Sequence, residues 1–228
     1  MNSLLLSQDV ERVEMFLGTD MTNLEVAVVD YRAGNLRSVV KALEIVGASP
    51  VVVQSGEEIK KAACIVFPGQ GACDTAMNVL ENAGLAYSIK EAINAGTPFL
   101  GVCLGLQLLF DFTEEGDVPC LGVYSGDVLK IQSDLKVPHM GWNDVTFVGD
   151  HPVFASLDST VHQYYFVHSY YVKPRDESIV AGLTDYGSTF CSAIATNNVV
   201  ATQFHPEKSG SPGLEIYSNF VKFAAKLQ

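Results

Sequence analysis

The fold of this chain is indicated first by residues 96–107, which read GTPFLGVCLGLQ. Turn residues at 96–98 and the apolar run at 99–102 predict a short buried strand. The apolar stretch that follows Cys103, through Phe112, predicts a helix. A nucleophilic side chain between two glycines, where a strand meets a helix, is typical of the strained elbow of α/β enzymes. The segment therefore predicts an α/β fold with Cys103 at the carboxyl edge of the sheet.

Strand-like and helical patterns alternate around that segment. Strands are predicted at 26–29, 50–53 and 65–67, the last one ended by Pro68 and Gly69, and helices at 36–46, 72–82 and 85–95. Such alternation indicates a mostly parallel sheet flanked by helices. From about residue 119 to 205 the chain is rich in Val, Tyr, Phe and Thr, which predicts antiparallel strands in the C-terminal half. A last helix is predicted at 213–227.

The domain organisation is expected to be simple. Residues 24–228 contain no internal repeat and no low-complexity linker, so we expect one domain there. Residues 1–23 precede the first strand and are interpreted as an N-terminal extension, either disordered or ahead of the natural start, for which Met21 is a candidate. The leucine cluster at 4–6 has no basic residue before it, so no secretion signal is expected.

The composition argues against several classes of function. The net charge of −12 over 228 residues disfavours a nucleic-acid partner, which usually needs a basic face. No apolar run is long enough to span a bilayer. The five cysteines are odd in number and lack CxxC spacing, so neither a disulfide framework nor a metal site is predicted. Free thiols in a reducing cytoplasm are the simpler interpretation.

Cys103 is the candidate nucleophile. Its place at the start of a helix favours the thiolate over the thiol, because the helix N-terminus carries partial positive charge. The alternative for any single cysteine is a buried structural role. We adopt that alternative for Cys64 and Cys191, which lie within apolar, strand-like runs.

A reactive cysteine needs a base, and the base needs a group that orients it. His205 ends a predicted strand at 199–204, and Glu207 follows two positions later. A nearby carboxylate can hold the tautomer in which the imidazole acts as a base. Spacing alone does not exclude His139 or His168. For the remaining histidines we adopt a structural, hydrogen-bonded role: His139, His151, His162 and His168.

Two motifs resemble the class I glutamine amidotransferases: GVCLGLQ at 101–107 and QFHPEKS at 203–209. Three further segments are similar to the glutaminase subunits of imidazole glycerol phosphate synthase: DYRAGNLRSV at 30–39, KVPHMGWN at 136–143 and YFVHSYY at 165–171. The resemblance runs from about residue 24 to the C-terminus. It implies a flavodoxin-like glutaminase domain that serves histidine biosynthesis.

The resemblance also implies a reaction. L-Glutamine would be hydrolysed to glutamate and ammonia through a γ-glutamyl thioester on Cys103, with His205 and Glu207 completing a catalytic triad. The oxyanion would receive hydrogen bonds from the backbone N–H groups of Leu104 and of Gln70, in the loop 68–71. The family commonly has valine where Gln70 stands. A backbone donor does not depend on the identity of that side chain. The departure puts in doubt only how tightly glutaminase activity is restrained when the synthase is not working.

Binding free glutamine requires partners for its α-amino and α-carboxylate groups. By resemblance, the substrate-binding residues are Gly69, Gln107, Glu115, Ser169 and Tyr170, the last two through their backbone. Glu115 has a plainer interpretation as part of a solvated helix end. Without the resemblance, the run 68–71 would be interpreted as an ordinary tight turn.

A synthase partner is implied as well, because ammonia released into water is protonated and the chain has no second domain to use it. By resemblance the partner is the (β/α)₈-barrel cyclase subunit, in a heterodimer that makes imidazole glycerol phosphate and aminoimidazole carboxamide ribotide. Candidate contact residues, each of which could instead be an ordinary surface or packing residue, are Asn35, Arg37, Met140, Trp142 and Lys208. No metal or organic cofactor is implied.

Three other functions remain open at this point. The chain could be the glutaminase subunit of another class I enzyme, serving anthranilate, aminodeoxychorismate or guanylate synthesis, although the segment at 136–143 argues for the histidine pathway. It could be a catalytically silent regulatory module on the same fold, although Cys103, His205 and Glu207 are all present. A cysteine hydrolase of γ-glutamyl peptides is the third possibility.

Overall fold

The computed structural model describes residues 23–31, 36–155, 157 and 163–228. Its centre is a parallel sheet of five strands, which are β1 (Glu25–Val29), β2 (Ser49–Val53), β3 (Ile65–Gly69), β4 (Phe99–Cys103) and β14 (Val199–Thr202). They lie in the order β2-β1-β3-β4-β14, and all four pairings are parallel. This is the flavodoxin-like order. The prediction of an α/β fold with a mostly parallel sheet is confirmed.

Helices cover both faces of this sheet, and their bounds are α1 (Leu36–Ile45), α2 (Gly56–Ile59), α3 (Cys73–Asn82), α4 (Leu85–Asn94), α5 (Leu104–Gln107) and α6 (Gly210–Lys226). Side chains of a strand alternate between the faces, so Ala27 and Val29 pack with α3 and α4, whereas Val26 and Val28 pack with α1 and α6. Burial on both faces explains why the inner strands β1, β3, β4 and β14 are largely apolar, whereas Val51 and Val52 of the edge strand β2 are exposed.

The second half adds antiparallel strands, as predicted. Their bounds are β5 (Phe112–Thr113), β6 (Val118–Pro119), β7 (Gly126–Lys130), β8 (His139–Asp144), β9 (Thr146–Phe147), β10 (Gln163–His168), β11 (Tyr170–Pro174), β12 (Val180–Asp185) and β13 (Thr189–Ala195). Strands β13, β11, β7, β5 and β6 extend the sheet beyond β14, with one parallel pairing between β5 and β7. Strands β8 and β10 form a separate antiparallel pair.

Several predicted boundaries were wrong. Strand β3 does not end before Pro68 but continues through Gly69, because Gly69 pairs with Cys103 on β4. The helix expected to reach Phe112 ends at Gln107, and Phe112 lies in a strand. The apolar residues between them are buried in turns, so their hydrophobicity reflects core burial rather than helical period. Helix α6 begins at Gly210 instead of 213.

Some expectations lie outside the described residues. The N-terminal extension predicted at 1–23 does so except for Asn23, whose side chain accepts a hydrogen bond from Ser49 at 2.8 Å. The same is true of Asn35 and His162. Among the helices that the structure describes, none is both long enough and apolar enough to cross a membrane.

Candidate active site

Cys103 lies at the sharp turn between β4 and α5. Its backbone has φ 55° and ψ −107°, in the positive-φ region that residues with a side chain rarely occupy. A Cβ atom on Gly101 would lie 2.7 Å from the Gly105 carbonyl oxygen, and one on Gly105 would collide with the Phe67 carbonyl. Glycine at both flanking positions therefore permits the turn. Helix α5 has only four residues, so its dipole at Cys103 is smaller than the predicted longer helix would provide.

Cys103 opens onto a cavity of about 440 Å³ at the carboxyl edge of the sheet. The cavity brings together nine of the residues predicted for catalysis, substrate binding or partner contact: Gln70, Cys103, Leu104, Gln107, Glu115, Ser169, Tyr170, His205 and Lys208. Gly69 does not line it. A Cβ atom on Gly69 would lie 2.6 Å from the Gly105 nitrogen, so this glycine allows β3 to pack closely against the elbow.

His205 and Glu207 form a buried pair beside the cavity. Nδ1 of His205 lies 2.8 Å from Oε1 of Glu207, and each side chain is 2% exposed. Ser209 fixes the same corner, because its hydroxyl donates to the His205 carbonyl at 2.6 Å and accepts from the Tyr165 N–H at 3.0 Å. The carboxylate at Nδ1 leaves Nε2 of His205 as the nitrogen that can exchange a proton with a substrate.

The electrostatics of His205 depend on its neighbours. Burial alone lowers the pKa of His205, but the Cys103 sulfur and then Glu207 outweigh burial and raise it to about 10. Nε2 is buried and has no hydrogen-bond partner among the described residues. Cys103 and His205 line the same cavity, which brings the sulfur and the imidazole into one space. The arrangement favours a protonated His205 at neutral pH.

The two predicted oxyanion donors differ in their surroundings. Leu104 is the first residue of α5, so its N–H has no acceptor within the helix and lies at the cavity wall. The N–H of Gln70 instead donates to the Tyr31 hydroxyl at 3.1 Å. Tyr31 is 1% exposed, and burial raises the pKa of its hydroxyl well above the usual range, so the hydroxyl stays protonated.

Gln107 and Glu115 are held in place by the surrounding backbone. The Gln107 side-chain NH₂ donates to the Tyr170 carbonyl at 2.9 Å and to the Gln203 side chain at 3.0 Å. A Glu115 carboxylate oxygen accepts from the Cys73 N–H at 2.9 Å. Glu115 lies in the turn between β5 and β6 and lines the cavity, so the alternative interpretation as a helix end is wrong about its secondary structure.

The structure adds Gln203, which the sequence did not single out, and gives His168 a place at the cavity. Gln203 is fully buried, and its NH₂ group lies 3.7 Å from the Cys103 sulfur. His168 lines the cavity and is hydrogen-bonded to His139 at 2.9 Å. The position of Gln203, two residues before His205, was available as a signal. Each histidine lies in a segment quoted for the resemblance, but their hydrogen bond had no signal, because the two residues are 29 positions apart in the sequence.

Four of the predicted contact residues can be placed. Met140 and Trp142, on β8, are 60% and 54% exposed. The Trp142 ring packs edge-on against Tyr165 with centroids 6.1 Å apart, and the Lys208 ammonium lies 5.8 Å from the Tyr165 centroid. Arg37 is exposed near the start of α1, which contacts the turn Pro206–Lys208. An apolar and cationic surface therefore adjoins the cavity through Lys208, which belongs to both.

The fold is that of a class I glutamine amidotransferase, and the family model described as "Glutamine amidotransferase class-I" matches residues 27–223. Solved structures agree on the fold. One described as "Structure of PurLQS from Thermotoga maritima" has a TM-score of 0.71 at 19% identity, over 88% of this chain and 99% of that one. Another, described as a glutamine amidotransferase, has a TM-score of 0.69 at 20% identity, over 87% and 98%.

Relatives with higher sequence identity indicate which family of class I glutamine amidotransferases the chain belongs to. "Imidazole glycerol phosphate synthase subunit HisH" of Dehalococcoides mccartyi is 45% identical over 200 residues, which are 87% of this chain and 97% of that protein. The protein of the same name from Nitrosomonas europaea is 48% identical over 209 residues, 87% of this chain and 98% of the relative. The chain belongs to this family, the HisH subunits of imidazole glycerol phosphate synthase.

Proposed function

We propose that this chain is the glutaminase subunit of imidazole glycerol phosphate synthase, that residues 24–228 are its catalytic domain, and that it acts in the cytoplasm in histidine biosynthesis. The observation that carries the proposal is the shared cavity: Cys103, on a strained elbow, faces the same space as His205, whose Nδ1 is fixed by Glu207. Such a pair is suited to cleaving an unactivated amide.

The reaction follows from the protonation state. The Cys103 thiolate attacks the side-chain carbonyl of glutamine, and the protonated His205 donates its Nε2 proton to the departing ammonia. His205 is then neutral and takes a proton from water, which attacks the γ-glutamyl thioester and releases glutamate. Glu207 stabilises the imidazolium that forms again. The raised pKa of His205 supports its first role as the acid.

The oxyanion of each tetrahedral intermediate needs at least one donor beyond the Leu104 N–H. Gln70 can serve only after its N–H leaves the Tyr31 hydroxyl. A donor of this kind typically contributes about 10²–10³-fold in rate. The conformation of the loop 68–71 is therefore a point at which activity can be controlled.

Ammonia is proposed to pass to the (β/α)₈-barrel cyclase subunit without entering bulk water. The exposed Met140 and Trp142, the Tyr165 ring and Lys208 support a docking surface there, because this surface adjoins the cavity. Buried aromatic and aliphatic anchors usually carry most of the energy of an interface. Arg37 and Asn35 are proposed as further contacts.

Glutamate release is measured for the full chain, alone and with the cyclase subunit and a cyclase ligand. We expect low activity alone, a large increase with the partner, and a loss of at least roughly 10³-fold for Cys103→Ala. Cys64→Ala, which removes a buried thiol outside the cavity, is the matched control and should keep the activity. Glutamate release that persists in Cys103→Ala would contradict the mechanism. Activation by an anthranilate or guanylate synthase instead of the cyclase would contradict the assigned pathway.

A further inference from the structure

A chain of hydrogen bonds runs behind the cavity wall that contains Ser169 and Tyr170. Nδ1 of His168 lies 2.8 Å from the Tyr170 carbonyl oxygen, and Nε2 of His168 lies 2.9 Å from Nδ1 of His139. Nε2 of His139 in turn lies 3.2 Å from the side-chain nitrogen of Asn143. His168 and His139 are only 5% and 3% exposed, so water competes little for these contacts.

Which atom donates in each of these hydrogen bonds follows from the group at the end of the series, the Tyr170 carbonyl. A carbonyl oxygen can only accept, so Nδ1 of His168 donates to Tyr170. In a neutral ring the other nitrogen must then accept, so Nδ1 of His139 donates to His168. The Asn143 NH₂ group finally donates to Nε2 of His139. Burial lowers the pKa of His168 to about 3 and that of His139 to about 4, which keeps both rings neutral.

The series of hydrogen bonds ends at the Tyr170 carbonyl oxygen, which accepts a second hydrogen bond from another side chain. The Gln107 NH₂ group donates to the same Tyr170 oxygen at 2.9 Å. The preceding carbonyl, that of Ser169, accepts from the Ile131 N–H at 2.9 Å. The N–H and C=O of one trans peptide point in opposite directions, so the Tyr170 N–H points away from Ile131. Ser169 and Tyr170 both line the cavity.

We propose that His168, supported by His139, is a positioning residue that sets the Ser169–Tyr170 backbone to receive the α-carboxylate of glutamine. Both ring nitrogens of His168 are already occupied by His139 and Tyr170, so the ring acts through the backbone and not by touching the substrate. The inference rests on the glutaminase function proposed above. It assigns to the histidine pair a role in substrate affinity rather than in bond cleavage.

The test compares two substrates with the same reacting amide: L-glutamine and 4-aminobutanamide, which lacks the carboxylate. Steady-state glutaminase kinetics are measured for the full chain in complex with the cyclase subunit. For His168→Leu we expect KM for glutamine to rise roughly tenfold while kcat changes less than about threefold. For 4-aminobutanamide, kcat/KM should change less than about twofold. His168→Asn should restore a large part of the affinity, because its amide N–H can replace the Nδ1 donor.

A second variant keeps the test decisive if His168→Leu folds poorly. The ring of His139 stacks on those of Phe166 and Tyr186, at centroid distances of 4.7 Å and 3.9 Å, so His139→Phe suits the space. The change removes the donor to His168 and the acceptor for Asn143, whose NH₂ group keeps its hydrogen bond to the Asp185 carbonyl. It should raise KM for glutamine by a smaller factor, again without affecting 4-aminobutanamide. His151→Asn, a histidine outside the cavity, is the matched control and should leave both substrates unchanged.

Two results would overturn the inference. One is an equal loss of kcat/KM for both substrates, which would indicate a general structural role. The other is an unchanged KM for glutamine in both His168→Leu and His139→Phe. Failure of the glutaminase function itself would be recognised separately, as an absence of Cys103-dependent glutamate release in the unmodified chain.

Discussion

Two buried histidines line the same cavity and are held in different protonation states. His205 lies beside Cys103 and Glu207, and its pKa is raised to about 10 in spite of burial. His168 lies between His139 and the Tyr170 carbonyl, and burial lowers its pKa to about 3. The two rings are similarly hidden from water, at 2% and 5% exposure. The difference therefore comes from the partners and not from the depth of burial.

The comparison separates two uses of a buried imidazole. A carboxylate and a sulfur stabilise the charged ring, so His205 with Cys103 and Glu207, here called the His205 corner, can hold a proton and donate it. A second neutral ring and a carbonyl stabilise only one neutral tautomer of His168. His168 with His139 and the Tyr170 carbonyl, here called the His168 corner, therefore has no proton to donate at neutral pH. What it can supply is a fixed arrangement of hydrogen bonds. We accordingly propose a catalytic role for His205 and its neighbours, and a positioning role for His168 and its neighbours.

The most direct way to break this difference is Glu207→Gln. The variant keeps the shape of the side chain but removes the charge 2.8 Å from Nδ1 of His205. A hydrogen bond to a charged group typically contributes about 1.5–3 kcal/mol, so we expect kcat/KM to fall roughly 10- to 100-fold. The pH profile of the reaction should show a lower pKa for His205.

The control for this variant is Glu44→Gln, which changes an exposed glutamate on α1 and should leave the kinetics unchanged. An unaltered pH profile for Glu207→Gln would show that Glu207 is not the group that keeps His205 charged.

Tyr31→Phe sharpens the comparison on the His205 side, because the Tyr31 hydroxyl accepts a hydrogen bond from the Gln70 N–H that is proposed to stabilise the oxyanion. Without the hydroxyl, the Gln70 N–H loses its acceptor, so the loop conformation that turns this N–H toward the cavity becomes relatively more stable. A net hydrogen bond contributes about 0.5–1.5 kcal/mol, so glutamate release by the chain alone should rise roughly 3- to 10-fold. The rate with the cyclase partner should change less than about twofold.

The matched control is Tyr124→Phe, which removes a hydroxyl that lies 2.8 Å from the Thr196 hydroxyl, away from the cavity. Equal decreases of the basal and the partner-stimulated rates in Tyr31→Phe would indicate that Tyr31 supports the active loop conformation instead of withholding it.

The catalytic corner could be predicted from the sequence, and the positioning corner could not. Cys103 ends the apolar strand β4, and His205 lies three residues after β14, whose residues are all buried, so the sequence pattern leads to both positions. On β10 buried and more exposed residues alternate, and His168 occupies one of the buried positions. The sequence pattern shows only that a polar residue stands there and gives no role for it. Its role depends on His139, on another strand, and on the orientation of one peptide.

The Gln70 donor illustrates the same limit. Its place in the loop 68–71 followed from the resemblance, but the direction of its N–H depends on Tyr31, which lies 39 residues earlier in the chain. Local sequence determines where a backbone group is. A tertiary hydrogen bond determines where it points.

The smallest expected effect concerns the pH dependence of folding, in which the two corners act over different ranges. His139 and His168 have pKa values of about 4 and 3 when folded, against about 6.5 for an unfolded histidine. As the pH falls below about 6.5, the unfolded state binds more protons, so stability decreases by up to about 1.4 kcal/mol per pH unit for each ring. His205, whose pKa is raised, has the opposite sign: its contribution is complete below about pH 6.5 and is lost toward pH 10.

The free energy of unfolding in urea, measured between pH 7 and pH 5, should therefore decrease with acid. The slope should be shallower in His168→Asn, because one of the rings responsible has been removed. Burial also lowers the pKa of His151, so a histidine variant cannot be the control. Tyr124→Phe is used instead: burial raises the pKa of the Tyr124 hydroxyl above its usual value of about 10, so this group does not titrate between pH 5 and pH 7, and the slope should match that of the unmodified chain. A slope that is the same in His168→Asn as in the unmodified chain would mean that His168 is not held neutral by the fold. The distinction between a proton-carrying corner and a positioning corner would then fail.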